Sequence, residues 1–218
     1  MYPQETENRL IAERRGKLAQ LRADGAFPND FRRDSVADEL LSAYGERTSE
    51  SLETDALPVR VAGRMMAKRV MGKASFAKIQ DRSGQIQLFI ERDRVSPAVY
   101  QSFKAWDVGD ILGASGTLFK TKTGELSLRT EELRLLVKSL QPMPEKWHGI
   151  VDQELKLRRR YVDLIVSEDT RRVFAVRTEI MRFIRSFLDA LAFVEVETPM
   201  MHPIPGGALA KPFATHHN

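Results

Sequence analysis

The chain has 218 residues, 42% of them hydrophobic, and no cysteine, which excludes disulfides and thiolate metal sites. Its 34 lysines and arginines outnumber its 30 aspartates and glutamates, giving a net charge of +4, and no apolar run approaches the roughly 18 residues of a membrane span. The N-terminus also lacks the charged-then-apolar pattern of a secretory signal. We therefore expect a soluble, cytoplasmic protein with one good core or two modest ones.

The first 58 residues are predicted to form a helical extension. Apolar residues at helical spacing predict a helix over about Glu5–Asp24, and its many basic residues either form a solvated face or contact RNA. A second, short helix is predicted to begin at Ser35, with Asp38 completing a capping box, and to end at Gly45. The acidic segment Glu46–Pro58 is predicted to be a connector.

From Val59 onward the apolar residues alternate with a period of two, which is typical of strands. A short helix, opened by Pro97 and ending at Trp106, interrupts these strands. The predicted strand segments are Val59–Arg64, Phe76–Gln80, Ile86–Ile90, Ile111–Lys120, and finally Leu126–Thr130 with Leu133–Val137. Three strands, a helix and two further strands is the order of an OB-fold, a five-stranded barrel that commonly binds oligonucleotides.

This barrel block is strongly basic. Val59–Leu140 contains 15 lysines and arginines against 8 acidic residues, whereas Asp34–Pro58 has one arginine against seven acidic residues. Such a local excess on a small β module predicts a surface for a polyanion, most simply nucleic acid. Phe76 offers a ring on which an unstacked base can stack, and Gln87 can read a base edge. The alternative is that Phe76 is an ordinary core residue of the barrel.

The last third of the chain is predicted to be mainly helical. A linker at Ser139–Gly149 precedes helices over about Asp152–Ile165 and Thr170–Ala192. A β run follows at Phe193–Glu197. The adjacent histidines near the C-terminus are not expected to bind a metal, because neighbours in an extended segment point to opposite faces.

Several sequence runs resemble the class II lysyl-tRNA synthetases, and this resemblance covers essentially the whole chain. The matching runs are Gly63–Met66, Met71–Phe76, Lys120–Ser127, His148–Gly149, Arg160–Leu164, Glu195–Met201, Pro205–Ala208 and Thr215–Asn218. The related aspartyl and asparaginyl enzymes share the architecture, but the runs at 120–125 and 215–218 resemble the lysyl members.

The resemblance implies an α+β fold class with an incomplete catalytic domain. Its parts would be an N-terminal helical extension (1–58), an OB-fold anticodon-binding domain (59–140), a linker (141–151) and the start of a class II catalytic domain (152–218).

The resemblance also implies a site for the tRNA anticodon on the barrel. Phe76 matches the residue that stacks on a base, and Gln87 matches the reader of a base edge. Arg69 matches an arginine of the anticodon-loop site, and Glu125 an acceptor in the last hairpin. Arg64 belongs to the same set, with support of its strand as the alternative role. Lysine anticodons are rich in uridine, and an amide carries both the donor and the acceptor that uridine's pairing edge requires.

Two further features resemble parts of the catalytic domain. The helix Thr170–Ala192 resembles the first class II motif, which builds the dimer interface and to which Phe187 and Pro199 would belong. The alternative is an amphipathic helix that covers a sheet. Gly206 and Gly207 resemble the glycine loop beside the lysine pocket, with a simple turn as the alternative.

The implied function is that of a homodimeric lysine–tRNA ligase, which activates lysine with ATP and transfers it to tRNA(Lys). No catalytic residue and no metal ligand is assigned in this segment, because the second and third class II motifs would follow it. ATP and Mg²⁺ would act in the complete enzyme, and we expect neither to bind this segment tightly. The segment is therefore expected to bind the anticodon arm without aminoacylating alone. The alternatives are a stand-alone tRNA- or RNA-binding module and a generic single-strand-binding barrel.

Overall fold

The computed structural model describes residues 4–25, 27, 29–144, 150–199 and 215–216. The chain forms two compact units, Met1–Lys146 and Trp147–Asn218. The helices are α1 (Gln4–Ala23), α2 (Ala37–Tyr44), α3 (Ser49–Asp55), α4 (Pro97–Ala105), α5 (Gln153–Arg158), α6 (Arg160–Val166) and α7 (Glu168–Ala190), and the strands are β1 (Pro58–Met71), β2 (Ala74–Gln80), β3 (Gln85–Glu91), β4 (Ile111–Lys120) and β5 (Leu126–Val137). None of the helices in the described part of the chain is long and apolar enough to cross a bilayer.

The five strands of the first unit form a closed barrel in the order β1-β2-β3-β5-β4. The pair β3–β5 is parallel and the other pairs are antiparallel. The predicted OB-fold barrel and the α+β fold class are confirmed. Alternate residues of β2 and β3 point inward, and Ile79, Leu88 and Ile90 among them are almost completely buried.

Helix α4 contributes its buried face to the barrel core. Ser96 caps it by accepting a hydrogen bond from the backbone N–H of Val99 at 3.3 Å. Tyr100 and Phe103 are fully buried, and the Tyr100 hydroxyl lies 2.8 Å from the Ser75 hydroxyl inside the core. The only buried tyrosine hydroxyl in the described core therefore has a polar partner, as a buried hydroxyl requires.

The last strand is continuous rather than divided into the two predicted segments. Ser115 of β4 pairs with Glu132 and Gly116 with Thr130, so that Glu131 bulges out of the ladder. A Cβ atom on Gly116 would lie within 2.0 Å of the Arg129 carbonyl oxygen, so only glycine fits there. The bulge explains why the alternating pattern of the sequence breaks at this point.

The N-terminal helices differ from the prediction at their ends. Helix α2 begins at Ala37, and no side chain at its own N-cap position bonds the helix. Asp81 instead accepts a hydrogen bond from the Ala37 N–H at 2.8 Å, and Ser83 accepts one from the Asp38 N–H at 3.0 Å. The capping box predicted from Ser35 is therefore wrong, since the β2–β3 turn caps this helix.

The segment predicted to be a connector contains α3. Thr48 caps this helix by accepting from the Ser51 N–H, and Leu52 is completely buried in the barrel core. One buried leucine among acidic residues gives no periodic signal, which is why the sequence pattern does not reveal this helix.

The second unit also departs from the predicted elements. The helix predicted over 152–165 is divided at Arg159, whose φ of −115° and ψ of 51° are not helical. Helix α7 is capped by Ser167, which accepts from the Thr170 N–H at 3.2 Å. The strand predicted at Phe193–Glu197 does not form, because a strand needs a neighbour for its hydrogen bonds and the described part of this unit contains no other strand.

Candidate nucleic-acid interface

Four side chains lie in one line across the outside of the barrel. Arg69 pairs in register with Phe76, Phe76 with Phe89, and Phe89 with Arg129. We call these four residues the outer row. Because neighbouring strands lie about 4.8 Å apart, the row runs over about 14 Å of surface, with a guanidinium at each end and two rings between them.

The strand alternation places Phe76 on the outside of the barrel. Its neighbours Ser75 and Ala77 are buried, whereas Phe76 is half-buried. The ring centroids of Phe76 and Phe89 are 5.0 Å apart with an interplanar angle of 40°. A half-buried ring supported from one side leaves its other surface for a ligand that can stack.

A third phenylalanine continues this aromatic surface. The Phe119 ring centroid lies 5.6 Å from that of Phe89, and the Arg129 guanidinium lies over the Phe119 ring at 4.6 Å. Sequence reasoning missed Phe89, Phe119 and Arg129. Phe89 is two residues from Gln87 on β3, so the alternation of the strand places both on the same face and could have identified Phe89. Phe119 and Arg129 join the surface only through the parallel β3–β5 pairing.

Polar groups lie beside the rings. The Gln87 side-chain N–H₂ donates to the Ser127 hydroxyl at 3.0 Å, and among the described residues no donor meets its carbonyl oxygen. Glu125 forms an ion pair with Lys78 at 2.9 Å. Gln87 therefore keeps an acceptor available, while the Glu125 carboxylate has one exposed cation as its partner.

These residues line an open groove of about 1290 Å³. It contains four of the five predicted anticodon residues, namely Arg69, Phe76, Gln87 and Glu125. Within the described residues, no carboxylate lies within ion-pair distance of Arg69, Lys120 or Lys122, all of which border the groove. Stacking rings, base-reading polar groups and unpaired cations are the components with which proteins hold single-stranded nucleic acid.

The fifth predicted residue, Arg64, lies outside the groove. Its guanidinium donates to the Gly109 carbonyl oxygen at 2.8 Å. Lys68 also bonds a backbone carbonyl, since it donates to the Lys104 carbonyl oxygen at 3.0 Å, at the C-terminal end of α4. Burial lowers the pKa of Lys68. Both cations bond backbone carbonyls of this unit, although Lys68, unlike Arg64, is among the residues that line the groove.

A second group of charges in the first unit is completely buried at Lys138 and Asp110 and partly buried at Lys17 and Asp107. Lys138 lies 2.8 Å from Asp110 and 2.6 Å from Asp107, and Lys17 of α1 lies 3.0 Å from Asp107. We call these four residues the lysine–aspartate cluster. Burial opposes ionisation of Asp107, but the hydrogen bonds from Lys138 and Lys17 outweigh it and lower the pKa of Asp107.

The remaining predicted site residues belong to the second unit. Phe187 on α7 is 54% exposed, and Pro199 is exposed beyond the end of the helix. Gly206 and Gly207 lie outside the described residues. Among the residues that the structure does describe, no three histidine, aspartate or glutamate side chains converge where a metal ion could be held.

Comparison with known proteins gives a matching family for each of two regions of the chain. Residues 59–136 match the family described as OB-fold nucleic acid binding domain, and residues 152–218 match the tRNA synthetases class II (D, K and N). The chain is 61% identical over 216 residues to the lysine–tRNA ligase of Dechloromonas aromatica, an alignment that covers 99% of this chain and 43% of that protein.

Two further lysine–tRNA ligases give nearly the same result. That of Methylobacillus flagellatus is 62% identical over 216 residues, covering 99% of this chain and 42% of the relative. That of Thioalkalivibrio sulfidiphilus is 60% identical over 213 residues, covering 97% and 43%. The chain thus spans about two fifths of the length of the curated relatives that it matches.

Proposed function

We propose that the chain is part of a lysine–tRNA ligase of the class II synthetases, to which both of its matched regions and its relatives point. On this premise its barrel binds the anticodon of a lysine tRNA in the groove. The observation that carries the proposal is the half-buried ring of Phe76, set in line with the Arg69 guanidinium and beside the free acceptor of Gln87. A base stacked on this ring would present its pairing edge to polar groups that are already in position.

The polar groups of the groove suit uridine. Its pairing edge offers an N–H donor between two carbonyl acceptors, and the free carbonyl oxygen of Gln87 can accept from that N–H. The ion pair of Lys78 with Glu125 provides an exposed donor and acceptor nearby. Arg69 and Lys122 are free to approach the phosphates that flank the base. Recognition would therefore combine stacking, one edge contact and charge.

We further propose that the complete protein activates lysine with ATP and transfers the lysyl group to tRNA(Lys) in the cytoplasm. The ATP and Mg²⁺ of this reaction would act in the complete enzyme. Because no set of metal-binding side chains converges in the described residues, no step involving Mg²⁺ is assigned to this segment.

Helix α7 supports a further part of the proposal, a homodimer. Its apolar residues Ile180, Phe183 and Phe187 are each more than half exposed, and the rings of Phe183 and Phe187 stack at 6.1 Å. With Pro199, these residues would form the interface with a second copy.

Binding to the anticodon arm of tRNA(Lys) tests the first part of this proposal. We expect the chain to bind this arm, and to bind at least about fivefold more weakly when cytidine replaces the anticodon uridines. Cytidine has an acceptor at N3 where uridine has an N–H donor, so the Gln87 carbonyl oxygen loses its partner at a cost of about 1–3 kcal/mol. The logarithm of the affinity should fall with the logarithm of salt concentration by about 0.7 per phosphate contact. Equal affinity for both arms would favour the alternative of a generic single-strand-binding barrel.

An ATP–pyrophosphate exchange assay tests the role of this segment in the reaction. We expect the 218 residues to give no lysine-dependent exchange, since they span about two fifths of the relatives' length. The full-length ligase of a relative, assayed in parallel, is the positive control. Lysine-dependent exchange by the purified chain would overturn this part of the proposal.

A further inference from the structure

The far end of the outer row carries a planar cation that the proposed anticodon contacts leave unused. The Arg129 guanidinium lies over the Phe119 ring at 4.6 Å. Phe119 is only 8% exposed, whereas the Arg129 side chain is 28% exposed. The flat group that a ligand meets at this end of the groove is therefore the guanidinium and not the ring beneath it.

Arg129 is too far from Phe76 for both to contact one base. The register places Phe89 between them, so that two strand spacings, about 10 Å, separate the two positions. A single pyrimidine ring is narrower than this distance. A base stacked on Phe76 thus leaves Arg129 to a neighbouring nucleotide.

Helix α3 supplies the charge that faces Arg129 in the free protein. Glu53 lies 3.6 Å from the Arg129 guanidinium and its side chain is 56% exposed. This distance exceeds that of a hydrogen bond, and an exposed ion pair of this kind contributes little. An incoming polyanion can displace Glu53 at small cost, while the Phe119 ring continues to support the guanidinium.

We infer that Arg129, supported by Phe119 and restrained by Glu53, is a second stacking platform, which holds the nucleotide next to the one stacked on Phe76. The inference rests on the proposed function, since it assigns a further contact to the same single-stranded RNA. The chemistry is that of a guanidinium plane against a base, which proteins use for unstacked RNA bases. Contact with a phosphate alone would use the charge of Arg129 but not its plane.

Replacement of Arg129 by lysine separates these two roles, because lysine keeps the charge and loses the plane. The affinity of the chain for the tRNA(Lys) anticodon arm is measured with normal arms and with arms that carry one abasic nucleotide at each loop position in turn. We expect Arg129→Lys to weaken binding about 5- to 150-fold, the loss expected for one stacked base. At one loop position, the abasic arm should bind the Arg129→Lys variant as tightly as the normal arm does, because the stacked base is then already lost. This position should differ from the one at which an abasic nucleotide has no further effect on the Phe76→Ala variant.

Two controls accompany this measurement. Arg134 is another exposed arginine of β5, which pairs with Asp30 and Glu132 outside the groove, and Arg134→Lys should leave the affinity unchanged. Glu53→Gln removes a carboxylate from the path of the RNA and should raise the affinity about two- to fivefold. No rise with Glu53→Gln would overturn the restraint assigned to Glu53. Thermal melts of each variant verify that it is folded at the temperature of the assay.

The outcomes distinguish this inference from the function on which it rests. If the unaltered chain binds the arm and Phe76→Ala weakens binding, but Arg129→Lys binds like the unaltered chain, only the second platform is overturned. Coupling of both residues to the same abasic position would overturn it as well. If the unaltered chain does not bind the arm, both the proposed function and the inference fail.

Discussion

The outer row and the lysine–aspartate cluster show two uses of basic residues within one small barrel unit. Arg69 of the outer row is exposed and pairs with no described carboxylate, while Arg129 pairs only weakly. In the cluster, Asp110 is completely buried and the charged end of Lys138 is held by two carboxylates. The net excess of 7 positive charges over 59–140 therefore does not show which of the charges are available to a ligand.

The cluster joins segments that are distant in sequence. Besides its ion pair with Lys138, Asp110 accepts from the backbone N–H groups of Asp107 and Ser139 at 2.8 Å each. Lys17 brings α1 to Asp107, and Arg14 of α1 donates to the Gln141 carbonyl oxygen. The basic residues of α1, which in sequence suggested either a solvated face or a contact with RNA, thus include two that attach this helix to its own unit.

Among the substitutions that compare the two regions, Asp110→Ala is expected to change the free energy of unfolding most. Removal of this carboxylate leaves two backbone N–H groups without their acceptor in a buried site and leaves the Lys138 ammonium with Asp107 as its remaining carboxylate partner. We expect the free energy of unfolding to fall by about 3–5 kcal/mol, measured by urea denaturation. At a temperature where the variant is folded, its affinity for the anticodon arm should be unchanged.

Asp93→Ala is the matched control for this prediction. Asp93 pairs with Arg92 at 3.2 Å, and both side chains are exposed, so its loss should change the free energy of unfolding by less than about 1 kcal/mol. Equal effects of the two substitutions would show that burial does not distinguish the cluster from surface pairs. A loss of RNA affinity in folded Asp110→Ala would connect the two regions that the comparison separates.

The strand pattern predicted much of the groove, because outward and inward residues alternate along a strand whichever strands pair. It identified Phe76 and Gln87 as candidates, and both prove to lie on the outer surface. Arg129 and Phe119 required knowledge of which strands are neighbours. The parallel contact of β3 with β5 sets Phe89 opposite Arg129, and no local pattern in the sequence specifies a pairing across 40 residues.

The charge of the barrel block was the least reliable guide to which basic side chains face the groove. Arg64 and Arg69 are the same type of residue on the same strand, but the register between β1 and β2 shifts between Met65 and Ala67. After this irregularity Arg69 faces outward in line with Phe76, whereas Arg64 bonds the Gly109 carbonyl oxygen. A bulge of one residue reverses the side to which the following residues point, and the sequence shows no clear signal for it here. The helix cap at Asp81 and Ser83 was missed for a similar reason, since it crosses 44 residues.

A smaller effect is expected from Phe76→Ala, which tests whether the outer row binds RNA or only stabilises the barrel. If the ring stacks on a base, the affinity for the anticodon arm should fall by about 1–3 kcal/mol, measured by titration. The free energy of unfolding should change less than in a core substitution, because Phe76 is half-buried and its main described ring contact is Phe89 at 5.0 Å.

Phe103→Ala is the control for this prediction, because it truncates a phenylalanine of the core and not of the surface. Phe103 is completely buried and packs edge-on against Trp106 at 5.9 Å, so its truncation should cost about 3–5 kcal/mol of stability while the folded fraction still binds the arm. If the surface is a binding site, Phe76→Ala should thus mainly lower the affinity for RNA, whereas Phe103→Ala should mainly lower the free energy of unfolding. If Phe76→Ala loses as much stability as Phe103→Ala and keeps its affinity, the outer row is structural, and the free cations around it would bind polyanions by charge alone.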